Sequence, residues 1–107
     1  MKNKLLQIIN HYGIDKQLKY IHSEYFELDE AILDTEAYKS FEEGEGVEYD
    51  EKGCKEHITE EIADVMVMLK QFQYYYGIED KQVEEVMNYK IDRQLDRIEK
   101  EKNNDKR

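Results

Sequence analysis

Apolar residues recur every three or four positions along most of the chain, which is the pattern of helices that bury one face. The second predicted helix carries such a seam at Leu18, Ile21, Tyr25, Leu28 and Ile32. The third predicted helix, from about Thr59 to Tyr76, carries another at Ile62, Val65, Leu69, Phe72 and Tyr76. This spacing is typical of antiparallel helical bundles. The pattern therefore predicts an all-α fold in which the two helices share a core.

One predicted helix precedes this pair and another follows it. The apolar residues between Leu5 and Ile9 indicate a short first helix that ends at Gly13, and Asp15 is placed to cap the next helix. The fourth predicted helix starts near Asp80 and has its apolar positions at Val83, Met87, Ile91, Leu95 and Ile98. We therefore expect an antiparallel bundle of about four helices.

The predicted bundle fits one domain over residues 1–107, with its core over roughly residues 15–98 and a charged tail over residues 99–107. The apolar pattern is lost over residues 42–57, where acids and glycines dominate. We predict a solvated acidic loop in this stretch. It is either a linker between helices or, because long loops in compact domains often have functions, a lid over a site.

The charge of the chain argues against two classes of partner, nucleic acids and anionic membranes. The net charge is -10, and 39% of the residues are charged. Such a chain repels a nucleic-acid backbone or an anionic membrane, so we expect neither partner. The longest apolar run falls far short of the ~20 residues of a membrane span, and the N-terminus lacks the pattern of a signal peptide. With Cys54 as the only cysteine, these features favour a cytoplasmic protein.

Candidate chemistry lies in two pairs of acids beside the two seams. Glu24 and Glu27 are three positions apart on the second predicted helix, and Glu61 and Asp64 have the same spacing on the third. Residues three apart share one face of a helix. If the two helices pack side by side, the four carboxylates converge. Thr59 and Glu60 have a plainer interpretation, as the N-cap and the first turn of the third helix.

Four converging carboxylates cannot all remain ionised without compensation. The remedies are protonation, basic neighbours or hard divalent cations, and oxygen ligands favour Mg²⁺, Mn²⁺ or Ca²⁺ over zinc. An E-x-x-E pair alone is a weak signal, because acidic helices contain it by chance. Two features strengthen it here: both pairs have the same phase beside a seam, and a basic stripe follows on the fourth helix at Lys90, Arg93 and Arg97.

The order of these motifs resembles the MazG family of all-α nucleotide pyrophosphohydrolases. The resemblance covers roughly residues 15–98. It consists of an E-x-x-E pair, an E-E-x-x-D motif that runs into an apolar helix, a G-I-E motif and an N-x-K-x-x-R motif. The matching residues are Glu24, Glu27, Glu60, Glu61, Asp64, Gly77, Ile78, Glu79, Asn88, Lys90 and Arg93.

The resemblance implies an Mg²⁺-dependent enzyme, with Mn²⁺ as a second option, that hydrolyses nucleoside triphosphates to monophosphates and pyrophosphate. By position, it implies that the metal ligands are Glu24, Glu27, Glu61 and Asp64. It also implies that Asn88, Lys90 and Arg93 bind the substrate. Members of the family generally work as dimers or tetramers. A homodimer or homotetramer also fits the wide apolar surface around Met66 and Met68.

The residue that activates the attacking water is left open between Glu27 and Glu60. Many members of the family have a further acid at the start of the first motif, where this chain has Ser23. Two rival interpretations share the same residues. The protein is either a pyrophosphohydrolase acting on phosphoribosyl-ATP or dUTP with the same fold, or a non-catalytic oligomeric helical module whose acids are merely solvated.

Overall fold

The computed structural model describes the backbone of residues 1–45 and 49–105 and the side chains of residues 1–41 and 49–104. Within those ranges the chain is all-α, as predicted, with four helices and no strand. The helices are α1 (Lys2–Tyr12), α2 (Ile14–Glu45), α3 (Glu51–Tyr75) and α4 (Asp80–Asp105). The chain divides into two compact units, Met1–Tyr75 and Tyr76–Arg107.

Gly13 forms the junction between α1 and α2. Its φ of 89° lies in the left-handed region that glycine adopts without strain, and its N–H donates to the Ile9 carbonyl at 2.8 Å. The predicted end of α1 is confirmed. The predicted cap at Asp15 is wrong, because α2 already begins at Ile14 and Asp15 lies inside its first turn. At that position its negative charge interacts favourably with the positive end of the helix dipole.

The buried face of α2 is rotated by one residue from the predicted seam. Ile21 and Leu28 are half-buried as expected, but Leu18, Tyr25 and Ile32 are exposed. The buried positions are those one residue earlier in each case, together with Thr35: Gln17, Glu24, Ala31 and Thr35. Three of these residues are polar, so a search for apolar periodicity selects the neighbouring stripe instead.

Helix α3 begins well before the predicted start. Asp50 is its N-cap: the Asp50 carboxylate accepts from the Gly53 N–H at 3.0 Å, and its carbonyl accepts from the Cys54 N–H at 3.0 Å. Thr59 therefore lies inside the helix, where its hydroxyl donates to the Lys55 carbonyl at 2.7 Å. The predicted N-cap at Thr59 and the predicted first-turn position of Glu60 are both wrong.

The acidic stretch predicted as a loop or lid is helical over most of its length. Residues 42–45 belong to α2 and residues 51–57 to α3. Residues 46–48 lie outside the described residues. The loop assignment over 42–57 is therefore wrong where the structure describes it. The glycines and acids of this stretch lowered its apparent helical character, although single glycines cost a helix only about 1 kcal/mol each.

The first unit packs α1 across an antiparallel pair formed by α2 and α3. Leu5 and Ile9 of α1 are buried, and Met68, Gln71 and Tyr74 of α3 are buried opposite them or near them. As on α2, the inward positions of α3 lie one residue before residues of the predicted seam. Ile62 and Leu69, which belong to that seam, are therefore exposed. The direction of packing follows from cross-helix contacts such as the Gln17–Gln71 hydrogen bond of 2.8 Å.

The second unit consists of a short turn and α4. Gly77, with a φ of 69°, follows the end of α3, and the Glu79 N–H donates to the Gln82 side chain at 2.8 Å. This bond is half of a capping box and fixes the start of α4. The predicted charged tail is helical through Asp105, and residues 106–107 lie outside the described residues. Most apolar side chains of α4 are exposed, among them Met87, Ile91, Leu95 and Ile98.

Among the residues described, no helix combines the length and the apolar character that a membrane crossing needs.

Candidate metal centre

Four carboxylates meet between α2 and α3. Glu24 and Glu27 come from α2, and Glu61 and Asp64 come from α3. Each offers one oxygen, and these four oxygens all lie within 4.8 Å of one another. The structure therefore brings together every residue that was predicted to bind metal.

The helical spacing on each side explains how the acids are arranged. Glu24 and Glu61 occupy inward positions of the two helices, while Glu27 and Asp64 lie three residues further along and are exposed. Because α2 and α3 are antiparallel, the inward acid of each helix lies beside the outer acid of the other. The cluster thus has a buried floor and an open, solvent-facing side.

Two oxygens at the floor have no hydrogen-bond partner. They are Glu24 Oε2 and Glu61 Oε2, and both are inaccessible to solvent. The Glu24 residue as a whole is only 9% exposed, and the Glu61 side chain 13%. Buried polar atoms nearly always have partners, because an unpaired one loses its hydration without replacement. A face of merely solvated acids would not contain such atoms.

The electrostatics of the cluster favour protonation of its two buried acids. Burial raises the pKa of Glu24, and the nearby charges of Glu27, Asp64 and Glu61 raise it further. Burial is also the main cause of the raised pKa of Glu61, followed by the charges of Glu27 and Asp64. Both shifts reflect negative charge that the cluster itself does not neutralise.

His57 is the one basic side chain recorded in contact with the cluster in the described part of the chain. Its Nε2 lies 3.5 Å from Glu61 Oε1, one helical turn away, and when protonated it lowers the pKa of Glu61. The imidazole is mostly exposed, so its attraction is screened by water. Sequence reasoning missed this contact because it started α3 at Thr59. The i, i+4 spacing from His57 to Glu61 would have revealed it in a longer helix.

These raised pKa values predict that the metal-free protein loses stability as the pH rises. Above about 4.5, the ordinary value, Glu24 and Glu61 are ionised in the unfolded chain but keep their protons in the folded one. The free energy of unfolding should fall through the window from that value up to the raised pKa values, and then level off. Urea titrations in a chelator at several pH values, compared with Glu24→Gln, measure this slope. A variant as pH-dependent as the parent would contradict the prediction.

A hard divalent cation fits this donor set. The donors are carboxylate oxygens, which Mg²⁺, Mn²⁺ and Ca²⁺ prefer, and two of the four carboxylates also have a buried oxygen without a partner. A cation at this position would compensate the charge of both inward carboxylates and reverse the reason for their protonation. Glu24, Glu27, Glu61 and Asp64 are therefore the residues that would hold it.

The other predicted functional residues belong to other positions of α3 and to α4. Glu60 is exposed and is not among the four clustered acids; it lines a shallow surface groove on α3. Asn88, Lys90 and Arg93 belong to α4, in the second unit. Lys90 and Arg93 line a small concavity of about 130 Å³ together with Gln94 and Arg97, so the basic stripe forms a continuous cationic surface on that helix.

The fold and the site define an all-α protein with a four-carboxylate cluster at the centre of an antiparallel helix pair. No protein-family model, curated protein or solved structure matches the chain. Any functional assignment therefore depends on the chemistry of the cluster and on the sequence motifs around it.

Proposed function

We propose that the protein is a metal-dependent nucleotide pyrophosphohydrolase of the MazG type, which cleaves nucleoside triphosphates between the α- and β-phosphates. The observation that carries the proposal is the convergence of four carboxylate oxygens within 4.8 Å, two of them from acids with an orphaned buried oxygen. Such a cluster is destabilised without a cation, which favours a metal site over a purely structural role. The proposal that nucleoside triphosphates are the substrates rests on the sequence motifs around the cluster.

Mg²⁺ is the proposed cation, with Mn²⁺ as a substitute, and Glu24, Glu61 and Asp64 are its proposed ligands together with Glu27. When bound, a divalent cation neutralises phosphate charge and lowers the pKa of a coordinated water. The inward pair, Glu24 and Glu61, lies at the contact between α2 and α3 and suits permanent ligation. The exposed pair can also reach the substrate side of the cluster.

Glu27 is the better of the two proposed proton acceptors. It is exposed, it belongs to the cluster, and its carboxylate lies close enough to Glu61 to form a hydrogen bond when one of the two is protonated. It can therefore accept the proton of an attacking water and release it to solvent. Glu60 is exposed outside the cluster, which makes it a weaker candidate for this role.

Lys90 and Arg93, with Asn88, are the proposed contacts for the substrate's phosphates. The Lys90 and Arg93 side chains line the same concavity of α4, and Arg97 lies one turn beyond Arg93 on the same stripe. A guanidinium group binds phosphate oxygens in pairs and stabilises the charge that builds on them during the reaction.

A panel of nucleotides tests the proposed activity. The purified protein is incubated with Mg²⁺ and each ribo- and deoxyribonucleoside triphosphate, including dUTP, and with phosphoribosyl-ATP, and pyrophosphate and monophosphate are measured. We expect pyrophosphate with at least one nucleotide and none in the presence of a chelator. Cleavage of dUTP alone or of phosphoribosyl-ATP alone would favour the related pyrophosphohydrolases. No pyrophosphate with any substrate, and no saturable Mg²⁺ or Mn²⁺ binding by calorimetry, would favour a non-catalytic module.

A further inference from the structure

A groove of about 390 Å³ opens between α1, α2 and α3, next to the candidate metal centre. Its floor is formed by Gln17, Met68 and Gln71, which are buried, and aromatic walls are contributed by Tyr12 and Tyr20. This volume lies within the usual range of small-molecule sites. None of the residues proposed for the hydrolytic reaction lines it.

The floor of the groove is polar although its position is central in the fold. Gln17 is 4% exposed and Gln71 1%, and the Gln17 Nε2 donates to the Gln71 Oε1 at 2.8 Å. Within the described residues, the contact of the Gln71 Nε2 is to a sulfur atom, Met68 Sδ, at 3.6 Å. Thioethers are weak acceptors, so this amide keeps hydrogen-bonding capacity that a ligand could use.

The walls suit a flat ring. Tyr12 and Tyr20 are each about half exposed, and the Lys16 ammonium lies 4.8 Å from the centroid of the Tyr12 ring. Exposed tyrosines beside a polar floor are typical of surfaces on which a heteroaromatic base stacks while its edge forms hydrogen bonds. The Lys16 ammonium group beside the Tyr12 ring offers a polar contact that a neutral apolar ligand could not use.

On α2 and α3, residues that line the groove lie one heptad, or seven residues, away from the clustered acids. Gln17 and Tyr20 precede Glu24 and Glu27 by seven residues on α2, and Met68 and Gln71 follow Glu61 and Asp64 by seven residues on α3. Seven residues nearly complete two helical turns, so both groups lie on the same side of the helix pair, about 10 Å apart. An extended nucleotide separates its base from its α- and β-phosphates by a similar distance.

We propose that this groove binds the base of the substrate nucleotide while the acids hold the cation at its phosphates. This inference depends on the proposed function for the identity of the ligand, and it extends that function from the phosphates to the base. It assigns stacking to Tyr20 and Tyr12 and edge recognition to the Gln17–Gln71 pair.

The experiment uses nucleosides, which lack phosphates and so do not need the metal. Adenosine, guanosine, cytidine, uridine and thymidine are each titrated into the full-length protein in a chelator, and the side-chain amide signals of Gln17 and Gln71 are followed by NMR. We expect at least one nucleoside to shift both signals. Tyr20→Ala should weaken that binding about tenfold, the effect of losing one base–aromatic stack. Tyr38→Ala, which removes an equally exposed tyrosine of α2 outside the groove, is the matched control.

The same variants separate this inference from the proposed activity. If hydrolysis occurs, Tyr20→Ala should raise the KM for the preferred triphosphate about tenfold, while Tyr38→Ala should leave it unchanged. Nucleoside binding without any pyrophosphate release would support the groove and refute the activity. Hydrolysis by a protein that binds no nucleoside, with Tyr20→Ala behaving as the parent, would overturn the groove and leave the activity intact.

Discussion

Glu61→Gln should lower pyrophosphate release by about 100-fold or more and, at the same time, stabilise the metal-free protein. The activity falls because a neutral amide is a poor ligand for a hard cation, whose stabilisation of phosphate charge is worth several kcal/mol. The metal-free protein gains stability, measured as a higher free energy of unfolding, because an uncompensated and largely buried carboxylate disappears. The new amide can also donate to Glu27, which already lies within hydrogen-bonding reach of position 61.

Opposite effects on activity and stability distinguish a metal site from an ordinary core position. Turnover is measured at saturating Mg²⁺, metal affinity by calorimetry with Mn²⁺, and stability by urea unfolding in a chelator at pH 7. Glu56→Gln is the matched control, because it removes the same charge from an exposed position of α3 outside the cluster. A Glu61→Gln protein that keeps its activity, or that is less stable than the parent without metal, would contradict the proposed centre.

Leu69→Lys should convert a self-associated protein into a monomer. We expect a second copy to cover an outer stripe. It is defined as the exposed apolar residues one position after the inward ones on both helices, together with the neighbouring Met66: Leu18, Tyr25, Ile32, Ile62, Met66 and Leu69. In an antiparallel pair, these positions share one side, away from the open face of the acids. Large contiguous apolar surfaces generally mark interfaces. A lysine there would bury a charge and weaken association on the order of 100-fold.

Light scattering over a range of concentrations measures this effect against a monomer mass of 13.0 kDa. Leu33→Lys is the control, since it makes the same change at an exposed leucine of α2 outside the stripe. Lysine reduces the chain's excess of negative charge, so dissociation could not be attributed to added repulsion. A parent protein that scatters as a monomer would refute the interface directly, and so would a Leu69→Lys protein of unchanged mass.

The class of fold could be predicted from the sequence because amphipathic periodicity is a local property. The absence of proline and the 3-4 spacing of apolar residues predict long helices whatever their partners. The convergence of Glu24, Glu27, Glu61 and Asp64 could also be predicted, because pairs three apart beside a seam meet whenever two such helices pack. That prediction survives an error of one residue in the phase of the seam.

The phase itself could not be predicted, because the buried face of this protein is partly polar. Gln17, Glu24 and Gln71 are among its most buried residues, and the two amides are paired by a hydrogen bond across the helices. The outer stripe is more apolar than the true core, so a search for apolar periodicity identifies the outer stripe as the buried face. The start of α3 was missed for a related reason: its cap is Asp50, one acid among many in a stretch that resembles a loop.

The hydrogen bond between Gln17 and Gln71 also determines the register of α2 against α3. A slip of one heptad would separate the four acids. It would place Glu24 opposite His57 or Gln71 and Asp64 opposite Gln17 or Ala31, although in one direction Glu61 would face Asp34. Electrostatic repulsion within the metal-free cluster favours such slips. The slips break the amide pair and leave buried polar groups without their partner, a cost that has been found to specify alignment in coiled coils. Two uncharged side chains thus preserve the alignment of four charged ones before any cation binds.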